Sequence, residues 1–325
     1  MSQMTMVEAI RDALHIALEQ DPSVLVLGED VGKNGGVFRA TEGLWEKFGD
    51  NRVIDTPLAE AAIIGSSIGL CMNGFKPVAE IQFMSFIYPA FEQIASHLAR
   101  FCTRTQGNFS PSLVIRVPIG GGVSAPELHS DSTESLFAHI PGLKVVMPAT
   151  PVDAKGMLLA AIAEPNPVLF LEPIKMYRWM REFVPANAYH ISLGKAQIIK
   201  SGEELTLITW GAMRPIVLNA AAQIEEMGHS CEVIDLRSIV PLDVETIIRS
   251  VKKTGRAVIV HEAPRTAGFG AEISALLQEN LFFYLHAPIL RVTGLDVPVP
   301  MAALERYFLP SVERVVEMGL KALRF

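Results

Sequence analysis

The chain has 325 residues, of which 50% are apolar and only 19% are charged. At about 150 residues per domain this length predicts two domains, and a charged fraction below the roughly one quarter of typical soluble proteins predicts an obligate oligomer with covered apolar surface. The 28 Lys and Arg against 35 Asp and Glu give a net charge of −7, which disfavours nucleic acid and anionic membranes as partners.

Apolar, β-branched runs alternate with helical periods along the first half of the chain. The predicted strands are VLVLG (24–28), PVAEI (77–81), LVIRV (113–117), KVVMP (144–148) and VLFLE (168–172), and the predicted helices span 59–72, 86–101 and 151–163. Strands that are apolar at nearly every position and separated by helices are typical of a parallel sheet covered on both faces. We therefore predict an α/β domain over residues 1–185, with a surface connecting segment from about residue 173.

The same alternation resumes after the connecting segment. Predicted strands are LTLIT (205–209), CEVIDL (231–236) and AVIVHEA (257–263), and predicted helices span 215–227, 244–252 and 269–281. A second, smaller α/β domain with a mainly parallel sheet is therefore predicted over residues 194–325.

The cysteines and the longest uncharged stretch bear on cellular location. Cys71, Cys102 and Cys231 are odd in number and widely spaced, so the sequence suggests neither a disulfide framework nor a zinc site. The uncharged run 61–75 is shorter than the about 18 to 20 residues that a membrane span needs. We expect a cytoplasmic protein that does not cross a membrane.

Glu60 is the first candidate for chemistry. It follows a short predicted strand ending at Asp55, with Pro57 at a predicted first helical position, and so lies in the first turn of a helix. Carboxylates favour that place because the backbone N–H groups and the helix dipole stabilise them, which is the purely structural interpretation. An equally supported interpretation is a general acid or base, because Leu58 and Ala61 would exclude water from the carboxylate.

Aromatic residues cluster in EIQFMSFIYPAFEQ (80–93), where a strand end runs into a helix. Open α/β sheets bind ligands at such strand ends. For Phe83, Tyr88 and Phe91 we favour core packing, whereas Phe86 is closest to the predicted turn and remains a candidate for a binding site.

The long segment 116–134, RVPIGGGVSAPELHSDSTE, leaves a strand before the helical pattern returns, and ordered loops of this length are usually functional or mobile. The glycines 120–122 could bind phosphate, although without a following Lys-Ser/Thr they more often form a flexible turn. His129 in this loop is either an active-site residue or an ordinary surface histidine. In the second domain, His261 and Glu262 end a strand and could form an interface or a site. The segment GFG (268–270) lacks the third glycine of a dinucleotide fingerprint, so we do not predict NAD or FAD binding.

Over its whole length the sequence resembles the β subunits of the decarboxylating first component of 2-oxo acid dehydrogenase complexes. These are thiamin-diphosphate-dependent enzymes of the transketolase-like group. The segments that carry the resemblance are GEDVGKNGGVFRATEGL (28–44), DTPLAE (55–60), EIQF (80–83), GGGV (120–123), LHSDS (128–132), PGLKVVMPATPVDAKG (141–156) and VIDLRSIVPLD (233–243). The resemblance implies a pyrimidine-binding domain, a C-terminal transketolase-like domain and an α2β2 heterotetramer.

The resemblance also implies roles for individual residues. Glu60 matches the carboxyl group that hydrogen-bonds a ring nitrogen of the cofactor's aminopyrimidine, and Leu58, Gln82 and Phe86 match positions lining that ring. His129 matches an active-site histidine that serves the substrate carboxylate or the acyl transfer to lipoamide.

The same resemblance implies binding sites for two ions. The family binds the diphosphate through Mg²⁺ on a Gly-Asp-Gly motif, which this chain lacks, so the α subunit is expected to bind the metal and the diphosphate. A monovalent cation such as K⁺ is expected at backbone carbonyls of Leu113, Ala161, Glu164 and Asn166. Because Glu164 and Pro165 depart from the commonest family sequence, a simple Pro-Asn-Pro turn is the favoured alternative there.

The implied activity is oxidative decarboxylation of pyruvate or a branched-chain 2-oxo acid, with acyl transfer to lipoyl groups of an acyltransferase core. PELHSDS resembles the pyruvate-specific members, whereas YPAFEQI and HEAPRTAGF resemble the branched-chain members. The core is expected to bind the C-terminal domain, with Asp296 and the Phe325 carboxylate as candidate anions. The alternatives are an acetoin dehydrogenase β subunit and a non-catalytic assembly subunit, which would have no use for Glu60.

Overall fold

The computed structural model describes all 325 residues, which form two compact units. One unit comprises Met1–Ile119 and Leu136–Leu193, and the other comprises Gly120–Ser135 and Gly194–Phe325. The domain bounds 1–185 and 194–325 stay a prediction, and within the first of them the loop 120–135 packs with the second unit. The physical reason is that carboxylates of Glu262 and Glu305 accept hydrogen bonds from the backbone of this loop.

The first unit is built on a parallel sheet. Its elements in chain order are β1 (Ser2–Met4), α1 (Met6–Gln20), β2 (Val24–Gly28), α2 (Leu44–Phe48), β3 (Val53–Asp55), α3 (Glu60–Met72), β4 (Lys76–Glu80), α4 (Phe101–Arg104), β5 (Val114–Ile119), α5 (Glu134–Ala138, which begins in the second unit), β6 (Lys144–Val146), α6 (Pro151–Ala163), β7 (Val168–Pro173) and β8 (Glu182–Val184). Six strands pair in parallel in the order β6-β7-β5-β4-β2-β3, and β1 pairs antiparallel with β8. Every residue of β2, β5 and β7 is buried, as expected of strands covered on both faces.

Helix α1 was not predicted, although its start carries a recognisable signal. The Thr5 side chain accepts a hydrogen bond from the Glu8 N–H, and the Glu8 carboxylate accepts one from the Thr5 N–H at 2.7 Å. This capping box satisfies two backbone donors that a helix start leaves without partners. The buried face of α1 packs on α6.

Three local predictions are corrected. The helix predicted over 86–101 is instead a 3-10 helix (Met84–Ala90), a π-helix (Gln93–Leu98) and α4, because Pro89 lies inside the first turns and has no N–H to donate. Helix α3 begins at Glu60 with Ala59 as N-cap, so Pro57 lies before the helix. The connecting segment from 173 is not wholly superficial, because Tyr177 is buried.

The second unit is also an α/β layer. Its elements are β9 (Gln197–Lys200), β10 (Leu205–Thr209), α7 (Arg214–Glu226), β11 (Cys231–Asp235), β12 (Ser238–Val240), α8 (Val244–Thr254), β13 (Ala257–Pro264), α9 (Phe269–Leu281), β14 (Leu290–Gly294), α10 (Ala302–Phe308) and α11 (Val312–Leu323). The sheet order is β14-β13-β10-β11-β9, parallel except for β9, and the helix pairs α7–α11 and α8–α9 pack against it. The predicted class of two mainly parallel α/β domains is confirmed. None of the helices is both long and apolar enough to cross a membrane.

Candidate active site

Polar side chains of the first unit collect at the carboxyl ends of three neighbouring strands. Glu29 follows β2, Asp55 ends β3 and Gln82 comes two residues after β4, and these strands pair in the order β4-β2-β3. The Asp55 carboxylate accepts the backbone N–H of Gly32 at 2.6 Å and fixes the turn after β2, while Gln82 Nε2 lies 3.4 Å from the Glu29 carbonyl oxygen. The carboxyl edge is where open α/β sheets bind ligands.

Glu60 joins this edge as the first residue of α3. The Ala59 N-cap offers no side-chain hydrogen bond, so the free N–H groups of the first turn favour a carboxylate there. Burial, reinforced by repulsion from the Glu60 carboxylate, raises the pKa of Glu29 above its ordinary value. Glu29, directly after β2, is therefore a second candidate acid at this edge that the sequence analysis missed; an acidic residue directly after a buried strand was the available signal.

The apolar residues beside Glu60 are uncovered in this chain. Leu58 is 80% exposed, and Ala61 and Ala62 are exposed as well. The expected removal of water from Glu60 by these neighbours is thus not achieved by this chain alone, because they point away from its core. Glu60 itself is half-buried.

A row of aromatic rings borders the same edge. Phe86 is half-buried and packs edge-to-face on Phe83 with ring centroids 5.5 Å apart, and Phe83 packs on Phe38 at 5.4 Å. Tyr88 is 39% exposed, so our prediction that it packs in the core was wrong. A carboxylate, an amide and an aromatic ring on adjoining elements suit a planar heteroaromatic ligand with hydrogen-bonding nitrogens.

A buried ion-pair network lies in the strands just before this edge. Arg116 of β5 binds Glu80 of β4 at 2.7 Å and Glu172 of β7 at 2.7 and 2.9 Å, and the Tyr177 hydroxyl donates to Glu172. Burial raises the pKa of Glu80 above its ordinary value, against the opposing effect of Arg116. Removing one partner of such a network leaves an uncompensated buried charge. The network therefore ties together β4, β5 and β7, of which β4 leads to Gln82 at the site.

His129 belongs to the second unit, at the end of a 3-10 turn (Glu127–His129) in the loop 120–135. It is half-buried, and its N–H donates to the Pro126 carbonyl at 2.9 Å. The predicted site residues are therefore divided: Leu58, Glu60, Gln82 and Phe86 lie in the first unit, and His129 lies in the second.

Two carboxylates accept hydrogen bonds from the backbone N–H groups of the glycine triplet in that loop. Glu262 accepts hydrogen bonds from the Gly121 N–H and the Ser132 hydroxyl, and Glu305 accepts from the Gly122 N–H at 2.6 Å. Glu262 had been noted as a strand-end residue, whereas nothing near Glu305 in sequence signalled its role. The triplet is not a free turn.

A second cluster packs beneath the end of the loop. Trp210 Nε1 donates to Glu134 Oε1 at 3.1 Å and stacks on the His261 ring with centroids 5.2 Å apart. Burial raises the pKa of Glu134 to about 7, and burial aided by the Arg291 charge lowers the pKa of His261 to about 4. A Cβ at position 270 would lie 2.7 Å from the His261 ring, so Gly270 of the GFG segment is needed for this packing.

The proposed cation ligands lie together around one turn. The Leu113 carbonyl accepts the Val168 N–H at 2.9 Å, the Ala161 carbonyl accepts the Glu164 N–H at 3.3 Å, and the Asn166 amide donates to Glu164 Oε1 at 2.9 Å. The protein's own hydrogen bonds close this turn. The bound cation stays a prediction.

Comparison with known proteins places these features in a family. Residues 2–180 match the model for the pyrimidine binding domain of transketolase, and residues 194–315 match the model for its C-terminal domain. The chain is 50% identical over 325 residues, the full length of both proteins, to the pyruvate dehydrogenase E1 component subunit beta of Staphylococcus epidermidis and to that of Bacillus subtilis. It is 49% identical to the same subunit of Acholeplasma laidlawii over 315 residues, covering 97% of this chain and 96% of that protein.

One solved structure has the same fold. A chain described as a split gene transketolase, inactive beta4 tetramer, superposes with a TM-score of 0.82 over 99% of each chain. The two sequences are 23% identical, so this likeness concerns the fold alone.

Proposed function

Because this chain belongs to the family of transketolase-like beta subunits of the pyruvate dehydrogenase E1 component, we propose that it is the pyrimidine-binding subunit of a thiamin-diphosphate-dependent 2-oxo acid dehydrogenase. The observation that carries the proposal is the carboxyl edge of the first sheet, where Glu60, Gln82 and Phe86 follow adjoining elements. The enzyme decarboxylates its 2-oxo acid oxidatively and transfers the acyl group to lipoyl groups of an acyltransferase.

We infer that the substrate is pyruvate. Full-length relatives that are 50% identical carry pyruvate dehydrogenase in their names, and this outweighs the short segments that resemble branched-chain members. The test is a panel of pyruvate, 3-methyl-2-oxobutanoate and acetoin with the purified α and β pair. A kcat/KM highest for pyruvate supports the proposal, whereas preference for either of the others reassigns the substrate.

The residues of this chain have separate tasks in that reaction. When bound, thiamin diphosphate supplies a thiazolium ring that accepts the electron pair left as carbon dioxide departs. With the cofactor bound, a carboxylate oxygen of Glu60, at the N-terminus of α3, would hydrogen-bond a nitrogen of the aminopyrimidine ring and exchange a proton with it. Gln82 offers an N–H, Phe86 offers an apolar ring, and His129 serves the substrate carboxylate or the acyl transfer.

The α subunit completes the site. Exposed apolar residues beside a half-buried proton-transfer carboxylate, Leu58 and Ala61 beside Glu60, are suited to being covered by a partner that excludes water. This chain has no Gly-Asp-Gly motif, so the partner of the α2β2 tetramer also binds Mg²⁺ and the diphosphate.

The acyltransferase core binds the C-terminal domain in this proposal. Asp296 is fully exposed, and its two oxygens accept the Thr266 N–H and hydroxyl, each at 2.8 Å, which lowers the pKa of Asp296 and holds the charge in place. Phe325 is 63% exposed at the end of the chain. The Asp296 carboxylate, held by Thr266, suits a basic partner surface.

A monovalent cation at the turn of Leu113, Ala161, Glu164 and Asn166 remains part of the proposal. Melting of the tetramer in equal concentrations of KCl and choline chloride tests it. A higher Tm in KCl supports binding, and equal values with unchanged activity contradict it.

A further inference from the structure

Two buried carboxylates hold the loop 120–135 by its backbone. Glu262 lies near the end of strand β13 and is 8% exposed, while Glu305 lies in α10 and is 6% exposed. Glu262 Oε1 accepts from the Gly121 N–H and from the Ser132 hydroxyl at 3.1 Å, so one oxygen joins the two ends of the loop. Glu305 accepts from the Gly122 N–H at 2.6 Å and, through its other oxygen, from the Ser124 N–H at 3.1 Å. We call these four contacts the carboxylate clamp.

The carboxylate clamp requires glycines in the loop, because a side chain at these positions would collide with the carboxylates. Gly120 has φ +90°, and a Cβ there would lie 2.7 Å from Glu262 Oε1; a Cβ at Gly121 would lie 2.9 Å from Glu305 Oε1. Backbone N–H groups of such a loop can bind an anion. Here the Gly121 N–H binds Glu262, and the Gly122 and Ser124 N–H groups bind Glu305, so the protein's own carboxylates take the donors that a phosphate would need.

The clamped loop also carries backbone strain. Ser124 adopts φ +60°, a left-handed conformation uncommon for a residue with a side chain. Such conformations persist where the surroundings enforce them, and they cluster at functional sites. The Ser124 N–H is one of the two donors bound by Glu305, so the clamp is a direct source of that enforcement.

The far end of the loop is fixed independently. Glu134 is buried, accepts the Trp210 indole N–H at 3.1 Å, and lies two residues after Ser132. His129 therefore lies between two anchored ends, at the end of a 3-10 turn that precedes α5.

We propose that Glu262 and Glu305 are positioning residues that hold His129 in its working place through the backbone of the loop 120–135. The inference rests on the proposed function, because it takes the role of His129 from there. It assigns a purpose to two buried acids whose carboxylates bind the backbone of this loop.

The decisive experiment is a double-mutant cycle in the α2β2 enzyme with Glu305→Gln and His129→Ala, measured as acyl transfer to lipoyl domains and as decarboxylation with an artificial acceptor. Both oxygens of Glu305 accept N–H donors, and an amide can satisfy only one of them. We expect Glu305→Gln to slow the step that His129→Ala slows, by about tenfold or more, and to add almost nothing when His129 is already Ala. A purely structural role would give the same loss in both backgrounds, and that result overturns the inference.

Amide hydrogen exchange of the apo tetramer gives a readout separate from catalysis. The amides of Gly122 and Ser124 should exchange about ten- to hundredfold faster in Glu305→Gln, because a bond to a charged acceptor is lost. Glu279→Gln, an exposed residue of α9, is the matched control and should leave exchange and rate unchanged. Unaltered exchange in Glu305→Gln overturns the clamp.

A milder variant tests the clamp with less risk that the tetramer fails to assemble. The results for His129→Ala then distinguish failure of the proposed function from failure of the positioning role. Ser132→Ala removes one hydroxyl from Glu262 and should give a smaller loss, again only when His129 is present. If His129→Ala retains full activity, the role given to His129 in the proposed function is wrong and the positioning role falls with it. If His129→Ala is slow but the losses add, only the positioning role is wrong.

Discussion

At the scale of single residues, Glu60 carries the clearest expectation. Glu60→Gln keeps the shape and can still hydrogen-bond, but the amide cannot share a proton with a ring nitrogen. Decarboxylation by the α2β2 enzyme should fall by about a hundredfold or more while the tetramer still assembles, as judged by size-exclusion chromatography. Glu46→Gln, an exposed glutamate of α2, is the matched control. A near-normal rate would instead favour a non-catalytic assembly subunit.

Glu134 makes stability depend on pH. Burial raises the pKa of Glu134 from 4.5 to about 7, so the folded chain keeps a proton that the unfolded chain releases. This contribution is fully present below pH 4.5, is lost as pH rises to about 7, and amounts to about 3 kcal/mol at most. Glu134→Gln, which stands in for the protonated acid, should lose less stability between pH 5 and 8 than the unaltered chain, measured by the shift in Tm. Parallel Tm curves for the two proteins would contradict this.

At the scale of elements, two glycines allow the cost of backbone strain to be measured apart from the cost of a steric clash when a methyl group is added. Gly120 and Gly228 have nearly the same φ, +90° and +92°, but a Cβ at Gly120 would lie 2.7 Å from Glu262 Oε1, whereas nothing lies within 4 Å at Gly228. Gly228→Ala should cost about 1 kcal/mol for backbone strain alone, and Gly120→Ala should cost about 1 to 3 kcal/mol more. Urea unfolding of both variants measures the difference. Equal costs would mean that Glu262 moves aside freely.

The elements also show how far the sequence predicts this protein. The helix 151–163 and the strand 205–209 have the predicted bounds, because an apolar period and a Pro at the first helical position are local signals. The break at Pro89 and the capping box at Thr5 were local too and could have been used. The carboxylate clamp could not be predicted from the sequence, because Glu262 is 141 residues from Gly121 along the chain. Of the site, the carboxyl edge was predictable, whereas the exposure of Leu58 depends on where the chain places it.

At the scale of the whole molecule, the isolated chain should bind the cofactor weakly. In the proposed function it contributes the pyrimidine edge, while the α subunit binds the diphosphate and Mg²⁺. Calorimetry with thiamin diphosphate and Mg²⁺ should show tight binding to the assembled tetramer and no tight stoichiometric binding to this chain alone. Tight binding by the isolated chain would show that it holds the whole site.

The proposed binding to the acyltransferase can be tested with a small deletion at the C-terminal end of the sequence. Ala322 is buried and its carbonyl accepts the Arg256 side chain, so removing five residues would disturb the core. Removing only Arg324 and Phe325, which follow α11, shifts the terminal carboxylate and leaves that contact intact. We expect weaker, more salt-sensitive binding to the acyltransferase by surface plasmon resonance, and normal decarboxylation with an artificial acceptor. Unchanged affinity in this variant and in Asp296→Asn would place the docking surface elsewhere.

The reach of Glu305 sets an order of events during synthesis on the ribosome. Its partner Gly122 lies 183 residues earlier in the chain, and at typical elongation rates that interval is roughly 10 to 40 s. Throughout it, the segment that carries His129 emerges without the carboxylate that fixes it. A nascent chain stalled before residue 305 can complete its first sheet, but its loop 120–135 still lacks the Glu305 carboxylate that we propose positions His129.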